Sequence, residues 1–252
     1  MNQPNLSFHA PASSTDMSRI LLIRHAQASY GAEDYDQLSP RGHEQAKQLA
    51  AWLVQHEEAL HLGAVVCGAM RRHAQTLAMI ETAFAAAGRA LPATAIDADW
   101  NEFDHDSVVR AYAQTFPHNP KIAAARDSHA PREVKALLMA ALQSWSRAEL
   151  DDRAAETWSA FGNRVARARA QLPAHASSGG GTTLVMSSGG VIARCAQAAL
   201  GIDDVHTVDM NLSLRNTGIS EFHSSAHDWH LHTWNGLPHF SAPGAREWMT
   251  YY

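Results

Sequence analysis

Cysteine is nearly absent from this chain, with only Cys67 and Cys195 among 252 residues. Two thiols cannot make a disulfide framework. Both sit in apolar surroundings, so buried free thiols and a reduced, cytoplasmic compartment are expected. Long apolar runs are also missing; no stretch approaches the roughly 18 residues that a membrane span needs. Positive charge is in deficit, 20 Lys and Arg against 25 Asp and Glu, for a net charge of −5. No global basic field exists to hold nucleic acid, although a local cationic pocket for a small anion is compatible with that balance. The 16 histidines are scattered, with no HExxH and no paired CxxC, so no metal site is expected. Residues 1–18 are polar, without a basic start and an apolar stretch behind it. A loose N-terminal tail is expected there, not a secretory leader.

What the chain does have is an ordinary globular composition, 46% hydrophobic and 18% charged, and short apolar runs that alternate with helical patterns. Ser18–Ile23 reads as a buried strand followed at once by polar Arg24 and His25. Ser39-Pro40 opens a helix as N-cap and first helical residue, with an apolar stripe at Ala46, Leu49, Ala50 and Leu53. Gly63–Cys67 reads as a second strand, followed by Met70-Arg71-Arg72-His73 and a helix to about Ala87. Thr94–Asp97 is a short third strand, with Trp100–Asp104 behind it. Residues 106–172 read as helical throughout, with breaks near 117–120, 128–131 and 150–152. Ser177–Gly181 is a flexible linker. Thr182–Met186 is a strand ending in Ser187-Ser188-Gly189-Gly190, then a helix from Val191. Ser213–Phe222 and Trp229–Trp234 complete the strands. The alternation predicts a three-layer α/β/α sandwich with a mostly parallel central sheet and a helical insertion over about 106–172.

Three strand ends therefore carry polar groups: Arg24-His25, Arg71-Arg72 and Ser187–Gly190. In open α/β sheets ligands bind just past the carboxyl ends of strands. Arginine forks match phosphate oxygens two at a time. Gly189 and Gly190 at a helix start add backbone N–H groups and the positive helix end. Together these groups point to phosphoryl chemistry.

The motifs also resemble a known family. Leu21–Ala26 is similar to the Arg-His-Gly signature of the histidine phosphatase superfamily, the phosphoglycerate mutase-like proteins, with Ala26 in place of glycine. Leu38–Ala46 resembles the family segment Leu-Thr/Ser-x-x-Gly-x-x-Gln-Ala, and Arg72–Thr76 its Arg-Ala-x-Gln-Thr. Met186–Ile192 aligns with Val-Ser-His-Gly-Gly-Val-Ile, and Asn216–Ile219 with the segment before a late strand. The resemblance runs from about Ile20 to Phe222 and implies one phosphoglycerate mutase-like α/β domain over 19–252. It further implies that His25 is a nucleophile taking the phosphoryl group as phosphohistidine, clamped by Arg24 and Arg72. Glu102 would be the acid and base, with Asp99, Asp104 and Asp106 as nearby alternatives; Ser188 and Gly189 would line the phosphate pocket. No cofactor and no metal enter that mechanism.

One departure matters. The family places a second histidine where this sequence has Ser188, which brings no positive charge. Losing such a contact costs roughly 10²–10³ in rate. The implied function is a phosphatase acting on a phosphomonoester, either a small metabolite or a phosphoprotein. The alternatives are a weakly active or non-catalytic phospholigand binder and, because Gln27-Ala28-Ser29 lacks the mutase continuation, with less support a phosphoglycerate-type mutase. Arg71 is read as a surface charge beside Arg72, His105 as a solvated loop histidine with reach into the site as the alternative, and Arg164, Arg167 and Arg169 as a solvated helix face.

Overall fold

A computed structural model describes residues 18–29, 35–128, 130–175, 181–225 and 228–251. The tail expected over 1–18 lies outside them apart from Ser18, and the linker over 177–181 apart from Gly181. In chain order the elements are β1 (Ser18–Arg24), α1 (Pro40–Gln55), α2 (Glu57–Leu60), β2 (Leu62–Cys67), α3 (Arg71–Ala86) and β3 (Thr94–Ile96). The helices α4 (His105–Thr115), α5 (Pro120–Ser128), α6 (Pro131–Ser146) and α7 (Trp158–Gln171) follow. Then come β4 (Thr182–Ser187), α8 (Gly189–Leu200), α9 (Asp204–Ser213), β5 (Ile219–Ser224) and β6 (Trp229–Gly236).

Among the described residues six strands form one sheet, in the order β3-β2-β4-β1-β5-β6. β1, β2, β3 and β4 run parallel, whereas β5 and β6 join antiparallel at one edge. Arg24 pairs in register with Ser187, Cys67 with Met186, and Ile96 with Cys67. The segments that leave β1, β2, β3 and β4 therefore emerge along one edge, which brings distant stretches of sequence together.

Successive strand side chains alternate between two cores, as the two-residue period requires. Leu21, Ile23, Val65, Leu184 and Met186 pack with Leu49 and Leu53 of α1 and Ile80 and Phe84 of α3. Ile20, Leu22, Val66 and Val185 pack on the other side with Trp145, Phe161, Val191 and Val208 from the later helices. The mostly parallel, three-layer architecture read from the sequence is present. Both cysteines are free and buried, and burial holds each thiol up at about 12. Trp145 and Trp158 are core residues.

Three local readings change. The stretch before β5 is not strand. Asp203 caps α9, which ends at Ser213, and the chain then turns through Arg215–Gly218 with Thr217 at a φ of 59°. The helix after β2 starts at Arg71, two residues earlier than expected. The break between α6 and α7 spans residues 147–157, longer than the expected 150–152.

Candidate active site

At the end of β1 the backbone of His25 is locked from both sides. Its N–H donates to Ser187 O at 2.9 Å, and its carbonyl accepts from Asn216 Nδ2 at 3.2 Å. His25 is 4% exposed. Nδ1 lies 2.7 Å from Ala26 O, and a carbonyl only accepts, so the proton is on Nδ1 and the Nε2 lone pair is free to act. That lone pair accepts a hydrogen bond from Arg72 Nε at 3.1 Å. Burial, with the positive charges of Arg72 and Arg24 nearby, holds the imidazole well below its ordinary pKa, so it is neutral near pH 7.

The loop after His25 is folded by the residues of the first two motifs. Ala26 N donates to Thr76 Oγ1, Gln27 N to Gln45 Oε1 and Leu38 N to Gln75 Oε1. Ser39 caps α1 by accepting from Gly42 N, and any Cβ at Gly42 would collide with the Gln27 carbonyl. The positive-φ non-glycine residues described are His61, Ala148, Thr217 and Asn235, so Ala26 in place of glycine carries no backbone strain.

Arg72 enters the site from the first turn of α3, with its side chain 3% exposed, and Nη1 pairs with Asp36 Oδ1 at 2.6 Å. Asp36 also accepts from Arg71 N. Arg71 itself is exposed, as expected. Arg24 is half-buried, and its Nη1 donates to Leu214 O and to Tyr251 O. The C-terminal stretch thus reaches back to the site; Gln45 Nε2 likewise donates to Trp248 O.

Glu102 is 9% exposed and faces the start of α8. Gly190 N donates to Oε2 at 2.9 Å and Phe103 N to Oε1 at 3.3 Å. A Cβ at Gly190 would collide with Glu102 Oε1 and stand 2.7 Å from Phe103 Cε1, so glycine is what lets the carboxylate approach the helix. Of the neighbouring acids, Asp104 caps α4 and Asp99 pairs with Arg167 at the surface. Asp106 is exposed in the first turn of α4. The loop carrying Glu102 is held by Ser187 Oγ, which donates to Trp100 O, and by Arg164, which donates to Asp99 O and Asn101 O. Arg164 also makes a bidentate pair with Glu156. This corrects the solvated-face reading. Arg167 is exposed, but Arg164 is mostly buried and Arg169 lies over the Trp229 ring at 4.7 Å. Their hydrocarbon stems cover apolar surface that helical spacing alone does not reveal.

His105, half-buried at the start of α4, feels Glu102, Arg72 and Arg24, and burial lowers its pKa. It is closer to the site than a solvated loop residue would be. The structure brings together His25, Arg24, Arg72, Glu102, Ser188 and Gly189, and adds Asp36, His73 and His105.

A family model described as the histidine phosphatase superfamily (branch 1) matches residues 20–128 and 126–236. The chain belongs to this superfamily. No curated protein matches its sequence at significant similarity. Its fold is similar to that of a phosphoglycerate mutase from Bacillus anthracis, with a TM-score of 0.61 at 15% identity over 89% of this chain and 95% of that one. It is similar to the α-ribazole phosphatase of Shigella flexneri, with a TM-score of 0.58 at 19% identity over 86% and 96%. A phosphoserine phosphatase from Entamoeba histolytica gives a TM-score of 0.59 at 16% identity over 88% and 98%.

Within this histidine phosphatase superfamily chain, Ser188 is fully buried at the N-cap of α8. It makes no capping bond, and its Oγ lies 2.6 Å from His73 Nε2. His73, also fully buried, was not singled out in the sequence; its adjacency to Arg72 was the available signal. Its ring centre is 5.5 Å from that of His25. Among the described residues, donors close enough to share a metal ion occur only at Glu221, His223 and His232. Glu221 already pairs with Arg19, and Arg19 stands near the start of β1, the end of that strand away from His25. None of the described helices is long and apolar enough to cross a membrane.

Proposed function

We propose that the protein is a phosphomonoesterase that passes the phosphoryl group through His25. The observation that carries this reading is a buried, neutral imidazole with its proton fixed on Nδ1 and its Nε2 lone pair turned to a buried guanidinium. In the first step Nε2 attacks phosphorus. The N–P bond forms, the P–O bond to the leaving group breaks, and protonated Glu102 gives its proton to the leaving oxygen. Arg72 shifts its Nε–H from Nε2 to a phosphoryl oxygen, and Arg24 balances charge from the other side. In the second step the Glu102 carboxylate takes a proton from water, the new O–P bond forms, and the N–P bond breaks to release inorganic phosphate and neutral His25. Each Glu102 oxygen accepts one backbone N–H, which leaves a lone pair on each for the travelling proton. Ser188 and Gly189 line the phosphate pocket.

The substrate class is a phosphorylated small metabolite or a phosphoprotein. The free buried thiols support a cytoplasmic setting, and we read residues 19–252 as a single domain. Ser188 favours one second reading, a phospholigand binder with little turnover. Hydrolysis of p-nitrophenyl phosphate and of a phosphoester panel separates the two. The phosphatase reading predicts turnover that disappears in His25→Ala. Phosphate binding without turnover on the panel would replace it with the binder, and interconversion of 2- and 3-phosphoglycerate would replace it with a mutase.

A further inference from the structure

We propose that His73 and Ser188 work as one unit, in which His73 is a positioning residue that aims the Ser188 hydroxyl at the phosphoryl group. The inference rests on the phosphatase reading above and deepens it. Four observations carry it.

The first is the contact itself. His73 Nε2 and Ser188 Oγ are 2.6 Å apart and both residues are fully buried. They lie 115 residues apart in sequence, so the bond ties the first turn of α3, which bears Arg72, to the start of α8, which bears Gly189. The second is what Ser188 gives up. A serine at an N-cap ordinarily accepts from the backbone N–H of the second or third helical residue. Ser188 makes no such bond, and Gly190 N turns to Glu102 instead. The hydroxyl is committed to His73.

The third observation is the room made for the ring. Gly68 follows β2 directly, and a Cβ there would run into His73 Nδ1 and stand 2.9 Å from Cε1. Nδ1 faces the Gly68 backbone, which raises the ring's pKa slightly against the larger effects of burial and Arg72, but no hydrogen bond of acceptable geometry forms there. The formed bond is the 2.6 Å contact of Nε2 with Ser188 Oγ, and we place the single proton of the neutral ring on Nε2. Nε2–H then donates to Ser188 Oγ, and the serine's own proton is left to donate to a phosphoryl oxygen. The fourth is proximity. The His73 ring sits 5.5 Å from the His25 ring, and burial followed by the Arg72 charge pushes it down to about 3, so it stays uncharged. The unit thus supplies a neutral, aimed hydroxyl where the sequence resemblance expects a second histidine. It also means that an imidazole is already present in that part of the site, so adding another at position 188 creates a collision.

A double-mutant cycle tests this, using Ser188→Ala, His73→Phe and their combination. For one unit, each single change lowers kcat by about 10²-fold, the usual cost of losing one aimed donor. The double variant falls no further, whereas two independent residues would give about 10⁴-fold. Independence of that kind overturns the proposal, as does wild-type kcat in either single variant. A purely structural role for His73 would lower the unfolding midpoint and leave the Ser188 effect additive. The conservative variant His73→Gln, whose amide can still donate to Oγ, should recover at least tenfold over His73→Phe. A second arm exchanges the residues. Ser188→His alone should lose activity by collision with His73, and His73→Ala with Ser188→His together should recover most of it. Higher activity in Ser188→His alone would overturn the proposal. Binding of inorganic phosphate, measured by calorimetry over the same cycle, needs no turnover. Coupling in phosphate affinity with no phosphatase activity in the wild type would refute the catalytic reading and leave the His73–Ser188 unit standing.

Discussion

Acid should destabilise this protein through histidines that fold in the neutral form, and His73 allows the size of the effect to be worked out. Burial and the Arg72 charge hold its folded pKa at about 3, against 6.5 in the unfolded chain. Between those values the unfolded chain binds a proton that the folded chain refuses. Stability is therefore complete above the unfolded value and falls as pH drops from about 6.5 towards 3. Each pH unit in that window removes about 1.4 kcal/mol, so at about pH 5 this one residue costs about 2 kcal/mol. For a chain of this size that is about 4–8 °C in Tm. His25 and His239 act with the same sign, since both fold with lowered values, that of His239 at about 4. The His73→Gln variant isolates the effect. Urea unfolding at about pH 7 and pH 5 should show a loss of stability smaller by about 2 kcal/mol than in the wild type. An identical loss in both proteins would mean that His73 titrates freely in the fold, and the argument for a buried neutral ring would fail.

Further outcomes follow from the Glu102 side of the site. Glu102→Gln should lower kcat on an alkyl phosphate, whose leaving oxygen needs a proton, by about 10²–10⁴-fold, and slow formation of the phosphoenzyme from p-nitrophenyl phosphate far less. Equal losses, compared by single-turnover rates on the two substrates, would remove Glu102 as the acid. Gly190→Ala drives a methyl group into Glu102 Oε1 and Phe103. It should repeat the alkyl-phosphate defect and cost about 1–3 kcal/mol of stability by overpacking; wild-type kinetics in that variant would show that the Glu102 position is unimportant. Arg164→Met breaks the pairing with Glu156 and both carbonyl bonds that hold the Glu102 loop. Calorimetry should show a lower Tm, by about 1–3 kcal/mol of stability, with kcat reduced more than the affinity for inorganic phosphate.

The strand-ending residues were legible in the sequence because an apolar run that stops at a polar pair is a local signal. Arg24, His25, Ser188 and Gly189 were placed that way, Arg72 by its spacing to Gln75 and Thr76, and parallel register then sets the strand ends on one edge. The Gln45, Gln75 and Thr76 matches carried less meaning in the sequence than in the fold, where they hold the loop after β1. What stayed hidden depends on pairs far apart in sequence. Asp36 meets Arg72 across the fold, His73 meets Ser188, and Tyr251 meets Arg24, with no periodicity to announce any of them. Arg164 was misread because three arginines close together on a helix look solvated until the packing over Phe161 and the Asp99–Asn101 carbonyls is known. The helix α9 was missed because Arg215–Gly218 links it to a strand that begins later than the apolar pattern suggested.

The central claim is that His25 carries the phosphoryl group. Rapid mixing of the enzyme with radiolabelled substrate, quenching in base and mapping of the labelled peptide tests it most directly. A phosphoryl group carried on His25 predicts a base-stable, acid-labile phosphate there that forms and decays at rates consistent with turnover and is missing in His25→Ala. Turnover without any labelled His25, or with full activity in His25→Ala, would contradict it.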